Sequence, residues 1–257
     1  MTATTFTSAL RKRTGTVVAT LSNANVLVIA NEAKNELARA LVQIDASYFV
    51  VPVFANISAS SATDLESREY PWNDDFMRQI GLQIATDSTQ SPLKYFPAKP
   101  YPGGLEKLID DIGGLTEANI TANFSNEDGG AYYVQYRRVN FLLTATLSAV
   151  TNGYRQHYNA YPVDLTDATA TTDLDLDPTT TTFGMPRFLH EIWVDLSSVK
   201  YKIERVNPLP LSAREQIVNQ FWAQGRLSDL IAQAKITEDA RQEHIGALPV
   251  YNYGKDY

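Results

Sequence analysis

The chain has 257 residues, 44% of them apolar and 20% charged, which suits a folded globular protein with a sizeable core in one large domain or two unequal ones. Its net charge is -7 and its pI about 5.0, so the surface as a whole repels nucleic-acid phosphates and sequence-specific DNA binding is disfavoured. It contains no cysteine, which excludes disulfide frameworks, thiolate zinc sites and cysteine nucleophiles.

The segment beginning at Met1 lacks the basic start and apolar core of a secretory leader. No run reaches the roughly 18 apolar residues that a membrane helix needs. A soluble protein made in the cytosol is the expectation. Phe6 to Arg13 reads as a short amphipathic helix ended by Gly15, with Lys12 and Arg13 as a solvated tail at the dipole's negative end.

Asn25 to about Ile44 carries the strongest helical pattern, with Val26, Ile29, Ala33, Leu37, Ala40, Leu41 and Ile44 at spacings of three and four. Ser22 and Asn23 are suitable caps. Glu32, Lys34 and Glu36 read as the solvated face. After Asp45 the pattern turns extended through Tyr48–Ile57, where Pro52 argues for an edge strand or a bulge. Arg68–Trp72 and Met77–Ala85 read as two more strands, the second with Ile80, Leu82 and Ile84 on one face.

The middle of the chain, 91–161, reads as β-rich. Pro92, Pro97, Pro100 and Pro102 with Gly103-Gly104 mark a long loop, and Leu105–Ile112 a short helix closed by Gly113-Gly114, with Asp110 and Asp111 outside. Asn126–Gly130 reads as a hairpin turn joining a strand at Ile120–Phe124 to the run Tyr132–Val150. Residues 139–150 fit either helix or strand; the threonines and the preceding aromatic alternation favour strands, with Phe141, Leu143, Ala145 and Leu147 on one face.

Asp164–Phe183 is Thr-rich and acidic, and reads as a long exposed loop or partly disordered arm. The alternation of Asp173, Asp175 and Asp177 lacks the glycine and distal glutamate of a calcium loop, so no metal site is expected. Pro186–Ile203 is helical, with Phe188, Leu189, Ile192, Trp193, Leu196 and Val199 on one side and His190, Glu191, Asp195 and Lys202 largely on the other. Ser212 to Glu215 forms a capping box for a further helix containing Phe221 and Trp222, and the tail 249–257 carries Tyr251, Tyr253 and Tyr257 without helix or strand signal.

There is no phosphate loop, dinucleotide fingerprint, nucleophile elbow or paired-histidine zinc motif, and His157, His190 and His244 lie in three separate contexts. Carboxylates such as Asp74, Asp75, Asp110, Asp111, Glu127 and Asp128 sit beside turn signals. A glycosidase pair leaves no mark in sequence. The expectation is a non-enzymatic protein with no catalytic residue, cofactor site or metal site.

The long helix Asn25–Ile44, the aromatic piece Tyr48-Phe49-Val50, the step Arg68-Glu69-Tyr70-Pro71, the acidic break Asn73-Asp74-Asp75 and the strand bearing Ile80 and Ile84 together resemble the head-to-tail connector, or adaptor, proteins of tailed bacteriophages. The resemblance covers roughly residues 23–86, and 186–246 by pattern alone. Residues 91–183 form a larger insert than that pattern has. The resemblance implies a homo-oligomeric ring, usually twelvefold, that binds beneath the portal in the virion neck. It also implies a platform for the tail or a stopper or terminator protein, and a channel through which genomic DNA slides without sequence specificity.

The resulting expectation is an α+β fold with four parts. Residues 1–46 and 184–248 form a helical connector bundle from both chain ends, and 47–163 a β-rich portion, as antiparallel sheet or sandwich. Residues 164–183 form the acidic loop and 249–257 an extended tail. Leu37, Leu41, Trp193, Trp222, Tyr251, Tyr253 and Tyr257 are the expected interface residues, and no membrane partner is expected. The alternatives are a capsid decoration, tail-tube or tail-terminator protein, and a virion-borne cell-wall hydrolase using carboxylates such as Asp74 or Glu127.

Overall fold

The computed structural model describes residues 1–61, 63–64, 68–101, 103–124, 130–143, 147–171, 173–174 and 184–203, and the single positions 213 and 216. The fold is α+β, with five α-helices and two mainly antiparallel sheets among the described residues. The chain divides into two compact units: unit 1 comprises 1–41 and 162–257, and unit 2 comprises 42–161.

In unit 1, α1 (Ala3–Thr14) starts where the Thr2 hydroxyl accepts from the Thr5 N–H and ends at Gly15, whose φ of 67° lets its N–H reach back to Arg11 O. That left-handed closing position is where glycine is favoured over any residue with a Cβ. Helix α2 (Asn23–Ile44) is capped by Ser22, whose Oγ accepts from the Asn25 N–H. It buries Val26, Ile29, Ala30, Ala33, Leu37 and Leu41. A 3-10 turn (Arg187–Leu189) leads into α5 (His190–Tyr201). Phe6 packs against Trp193 with ring centroids 4.5 Å apart, and the Trp193 indole N–H donates to Ala30 O at 2.8 Å, which ties α1, α2 and α5 together.

Three expectations change in unit 1. Arg13 is not a solvated tail: its guanidinium binds Asp195 and Glu191 on α5. Lys34 is not on a solvated face: it lies at 1% exposure, at the 30/34/37/41 spacing of the buried stripe. His190 is buried rather than on the polar side, with Nε2 2.8 Å from Met185 O.

Where it is described, the acidic segment is a loop with Asp164, Thr166, Asp167, Thr169, Thr171 and Asp173 exposed, and hydrogen bonds tie it down. Asn31 exchanges two hydrogen bonds with the backbone of Leu165, at 3.0 and 2.8 Å. The Thr7 hydroxyl donates to Ala168 O, the Thr4 N–H donates to Ala170 O, and Leu174 N–H donates to Met1 O. Backbone carbonyls and amides therefore supply the ordering that the poor side chains do not. Asp173 pairs with the Met1 amine, while Asp175 and Asp177 lie outside the described residues.

Unit 2 holds β1 (Val50–Ile57), β2 (Glu69–Pro71), β3 (Phe76–Ile84), β4 (Phe96–Pro97), β5 (Lys99–Pro100), α3 (Gly104–Ile112), α4 (Glu117–Asn123), β6 (Ala131–Gln135), β7 (Arg138–Leu142) and β8 (Val150–Ala160). One sheet runs β1-β8-β3-β4, wholly antiparallel; the other runs β2-β7-β6-β5, with only the β5–β6 pair parallel. Pro52 lies in an edge strand, β1, where a missing ladder donor is tolerated. The two sheets share one core, built from Ile57, Leu82, Ile84, Val150 and Tyr154 on one side and Val139 and Phe141 on the other. The opposite face of β6 and β7 is covered by α3, whose Leu108 meets Ala131, Tyr133 and Leu142.

Residues 120–124 do not form the expected strand: Ile120 is the buried residue of α4, which Thr116 starts by accepting from the Asn119 N–H. The turn 126–129 and Ala145 lie outside the described residues. The hairpin that is described turns at Tyr136-Arg137, with φ of 48° and 60°, between β6 and β7. Ile80 departs from the alternation too. The pairing skips it, with Gln79 opposite Tyr158 and Gly81 opposite His157, and this bulge leaves Ile80 exposed while Leu82 and Ile84 are buried.

Candidate functional site

The expected interface residues fall into two groups. Leu37, Leu41 and Trp193 are buried by this chain's own side chains, at no more than 1% exposure, so a flank toward another copy has to be built from other residues. Trp222, Tyr251, Tyr253 and Tyr257 lie outside the described residues. The large apolar side chains that unit 1 leaves exposed, among the described residues, include Val17 and Val18 in the α1–α2 connection and Val28 on α2.

In unit 2 the segment Arg68–Phe76 is a set of anchors. Arg68, buried despite its charge, donates to Ser60 Oγ at 3.0 Å and to Leu143 O at 3.0 Å. Tyr70 stacks on Tyr154 at 4.3 Å and meets Phe141 edge-on, and its hydroxyl donates to Asn56 O. Glu69 pairs with Arg138 on the neighbouring strand. Burial pushes the Tyr70 phenol up to about 12, with the Arg68 cation working against it. Asp74 sits exposed in the turn that follows; Glu127 lies outside the described residues.

A stack continues from there: Trp72 on Phe76 at 4.0 Å, then Phe76 on Tyr158 at 5.3 Å. The Tyr158 hydroxyl donates to Asp75 Oδ1 at 2.8 Å and accepts from the Asn73 amide at 2.9 Å; burial pushes this phenol up to about 12. His157 next to it is buried, and burial followed by the Arg155 charge holds its imidazole below the ordinary value. No group of three or more His, Cys, Asp or Glu side chains able to hold a metal ion occurs among the described residues.

Beside this stack lies an open groove of about 450 Å³. Trp72, Phe76, Gln79 and Ile80 form one wall, Tyr132 and Val134 of β6 another, and Tyr101 with Gly103-Gly104 closes it at the start of α3. Gly103 and Gly104 have φ of 107° and 72°, and α3 begins without a side-chain cap. The Tyr101 hydroxyl donates to Asp111 on α3. Two donors on the groove's lining residues, Trp72 Nε1 and Gln79 Nε2, are buried without a hydrogen-bond partner. Each such orphan costs about 1–3 kcal/mol, and Gln83 Oε1 and Gln156 Nε2 of the neighbouring strands share that status.

Sequence reasoning missed this groove because its walls come from three separated segments. The one available signal was aromatic density at Tyr70, Trp72 and Phe76. No protein family matches the chain, and no curated protein is similar to it.

Proposed function

We propose that the chain is a structural, non-enzymatic virion protein: a head-to-tail connector that forms a ring beneath the portal and offers the tail its platform. The observation that carries this reading is the chain layout. A helical unit assembled from residues 1–41 and the segment after 162 is interrupted by one continuous two-sheet unit, 42–161. In the proposal, the helices α1, α2 and α5 belong to a bundle built from both chain ends, which packs side by side with copies of itself. The run from about 23 to 86, through the strand bearing Ile80 and Ile84, carries the resemblance to the adaptor family.

A net charge of -7 supports a channel wall along which DNA slides without adhering. The ring, its partners in the portal and tail, and its place in the virion neck stand on this reading. The two-sheet core of unit 2 favours a second reading, a capsid-decoration or tail-tube component, in which that unit rather than the helices makes the assembly contacts.

Co-sedimentation with purified portal rings separates the two. The connector reading expects stoichiometric capture by the portal, and capture by capsid shells or tail tubes with none by the portal rejects it.

A further inference from the structure

We propose that Arg155, on the outer face of the β1-β8-β3-β4 sheet, anchors a protein-docking site that takes one carboxylate side chain of a partner segment, with an apolar neighbour of that carboxylate resting on Phe54. The inference goes beyond the connector reading and does not rest on it.

Side chains alternate along a strand, so Tyr154, in the core between the sheets, puts Arg155 on the opposite face of β8. The register sets Phe54 of β1 across from it, and the guanidinium lies over two rings, 5.7 Å from the Phe54 centroid and 5.5 Å from that of Tyr95. Tyr95 is itself fixed, its hydroxyl donating to Asn152 O at 2.7 Å. Two aromatic contacts hold the cation in place without neutralising it.

Among the described residues, every other Lys or Arg that is at most partly exposed binds an oxygen: Arg11, Arg13, Lys34, Arg68 and Lys200. Arg155, also only partly exposed, has no hydrogen bond or ion pair among them. Of its nitrogens Nε alone is fully buried without a partner, so Nη1 and Nη2 stay accessible. They form the fork that a carboxylate meets with two parallel hydrogen bonds.

One guanidinium balances one negative charge, and a chain of net charge -7 repels polyanions, which selects a carboxylate over a phosphate or a nucleic acid. Phe54, 47% exposed, lays open apolar surface beside the fork, which suits a protein segment better than a small molecule in need of enclosing walls.

NMR titration of the full chain with the blocked peptides Ac-Leu-Glu-Leu-NH2 and Ac-Leu-Gln-Leu-NH2, with acetate and with inorganic phosphate tests this. The Glu peptide is expected to shift the Arg155 side-chain N–H signals saturably, and the other three probes to bind about tenfold more weakly or not at all. Burial and then the Arg155 charge hold the His157 imidazole low, so a carboxylate seated on Arg155 is expected to raise its pKa. Arg155→Gln should weaken the Glu peptide about tenfold and Phe54→Leu about threefold. Phe54→Leu, at an exposed ring, keeps the test valid should Arg155→Gln fail to fold. Equal binding of the two peptides, phosphate or acetate binding as tightly as the Glu peptide, no saturable shift, or binding unaffected by both substitutions overturns the proposal.

Discussion

Lys34 Nζ, buried on α2, lies 2.6 Å from Asp164 Oδ1 and donates to Pro162 O at 2.7 Å, so a single ammonium holds the segment after unit 2 against the helix. Burial lowers the Lys34 pKa and the Asp164 carboxylate partly restores it. Asp164 itself is mostly exposed, which screens the pair from one side. Asp164→Ala leaves the buried ammonium with the carbonyl partner and is expected to lower unfolding stability by about 2 kcal/mol, whereas Lys34→Met, which removes the charge with its carboxylate partner left in water, is expected to cost less. Urea unfolding of the two variants checks the order.

Arg68 makes a parallel case in unit 2. Its guanidinium satisfies Ser60 and the Leu143 carbonyl inside the core, so Arg68→Ala creates a cavity and strands buried acceptors at once. A loss of about 3 kcal/mol or more is expected, and Arg68→Lys should recover little of it because an ammonium cannot reproduce the fork. Thermal unfolding reads both.

Two glycines of neighbouring strands give opposite expectations. A Cβ at Gly153 would stand 2.9 Å from each of Ala85 O, Ile57 Cδ1 and Val150 Cβ, while one at Gly81 meets nothing within 4 Å. Gly153→Ala is expected to cost about 2 kcal/mol through overpacking, and Gly81→Ala to be neutral or slightly stabilising. Equal effects in chemical denaturation would contradict the packing described for β8.

Alkaline pH should weaken unit 2 in a defined window. Tyr70 and Tyr158 are pushed up to about 12 by burial, and Tyr154 is raised by the same cause. A phenol raised in the folded state ionises first in the unfolded chain, so its contribution is complete below about pH 10 and is lost as pH climbs through the folded value. Phenolate absorbance should therefore show a delayed class of tyrosines that titrates together with unfolding. A single class ionising near pH 10 in the folded protein would contradict their burial.

Much of unit 1 was legible because helical periodicity and capping are local. Ser22, Gly15 and the stripe from Val26 to Leu41 mark their elements directly. Lys34 escaped because a charged residue on a buried stripe reads as surface until its partners, 128 and 130 positions away, are known. The tethering of residues 164–171, 173 and 174 escaped for the same reason, being made through backbone groups that carry no side-chain signature.

In unit 2 the Tyr136-Arg137 turn lacks the glycine or asparagine that announces such hairpins. The strand β8, which pairs with both β1 and β3, had no boundary signal of its own. Of the expected interface residues, the apolar type alone could not distinguish a side chain that packs within the chain from one left for a partner. Leu37, Leu41 and Trp193 prove to be the former.

If the ring is built through unit 1, its contacts should draw on what is exposed. Val17 and Val18, both more than half exposed, are candidates, and Val17→Asp with Val18→Asp is expected to reduce assembly while changing monomer stability by no more than about 0.5 kcal/mol. Deleting 249–257 separately tests the tail tyrosines: weakened portal capture is expected, and unchanged capture would discard their docking role. Analytical ultracentrifugation and portal pull-down read the two.

The central claim is tested most directly by electron microscopy of the purified chain, alone and mixed with portal. The account predicts closed rings in at least one of the two conditions, seated coaxially on the portal when it is present. Monodisperse single subunits in both conditions, with no density added to the portal, would contradict it.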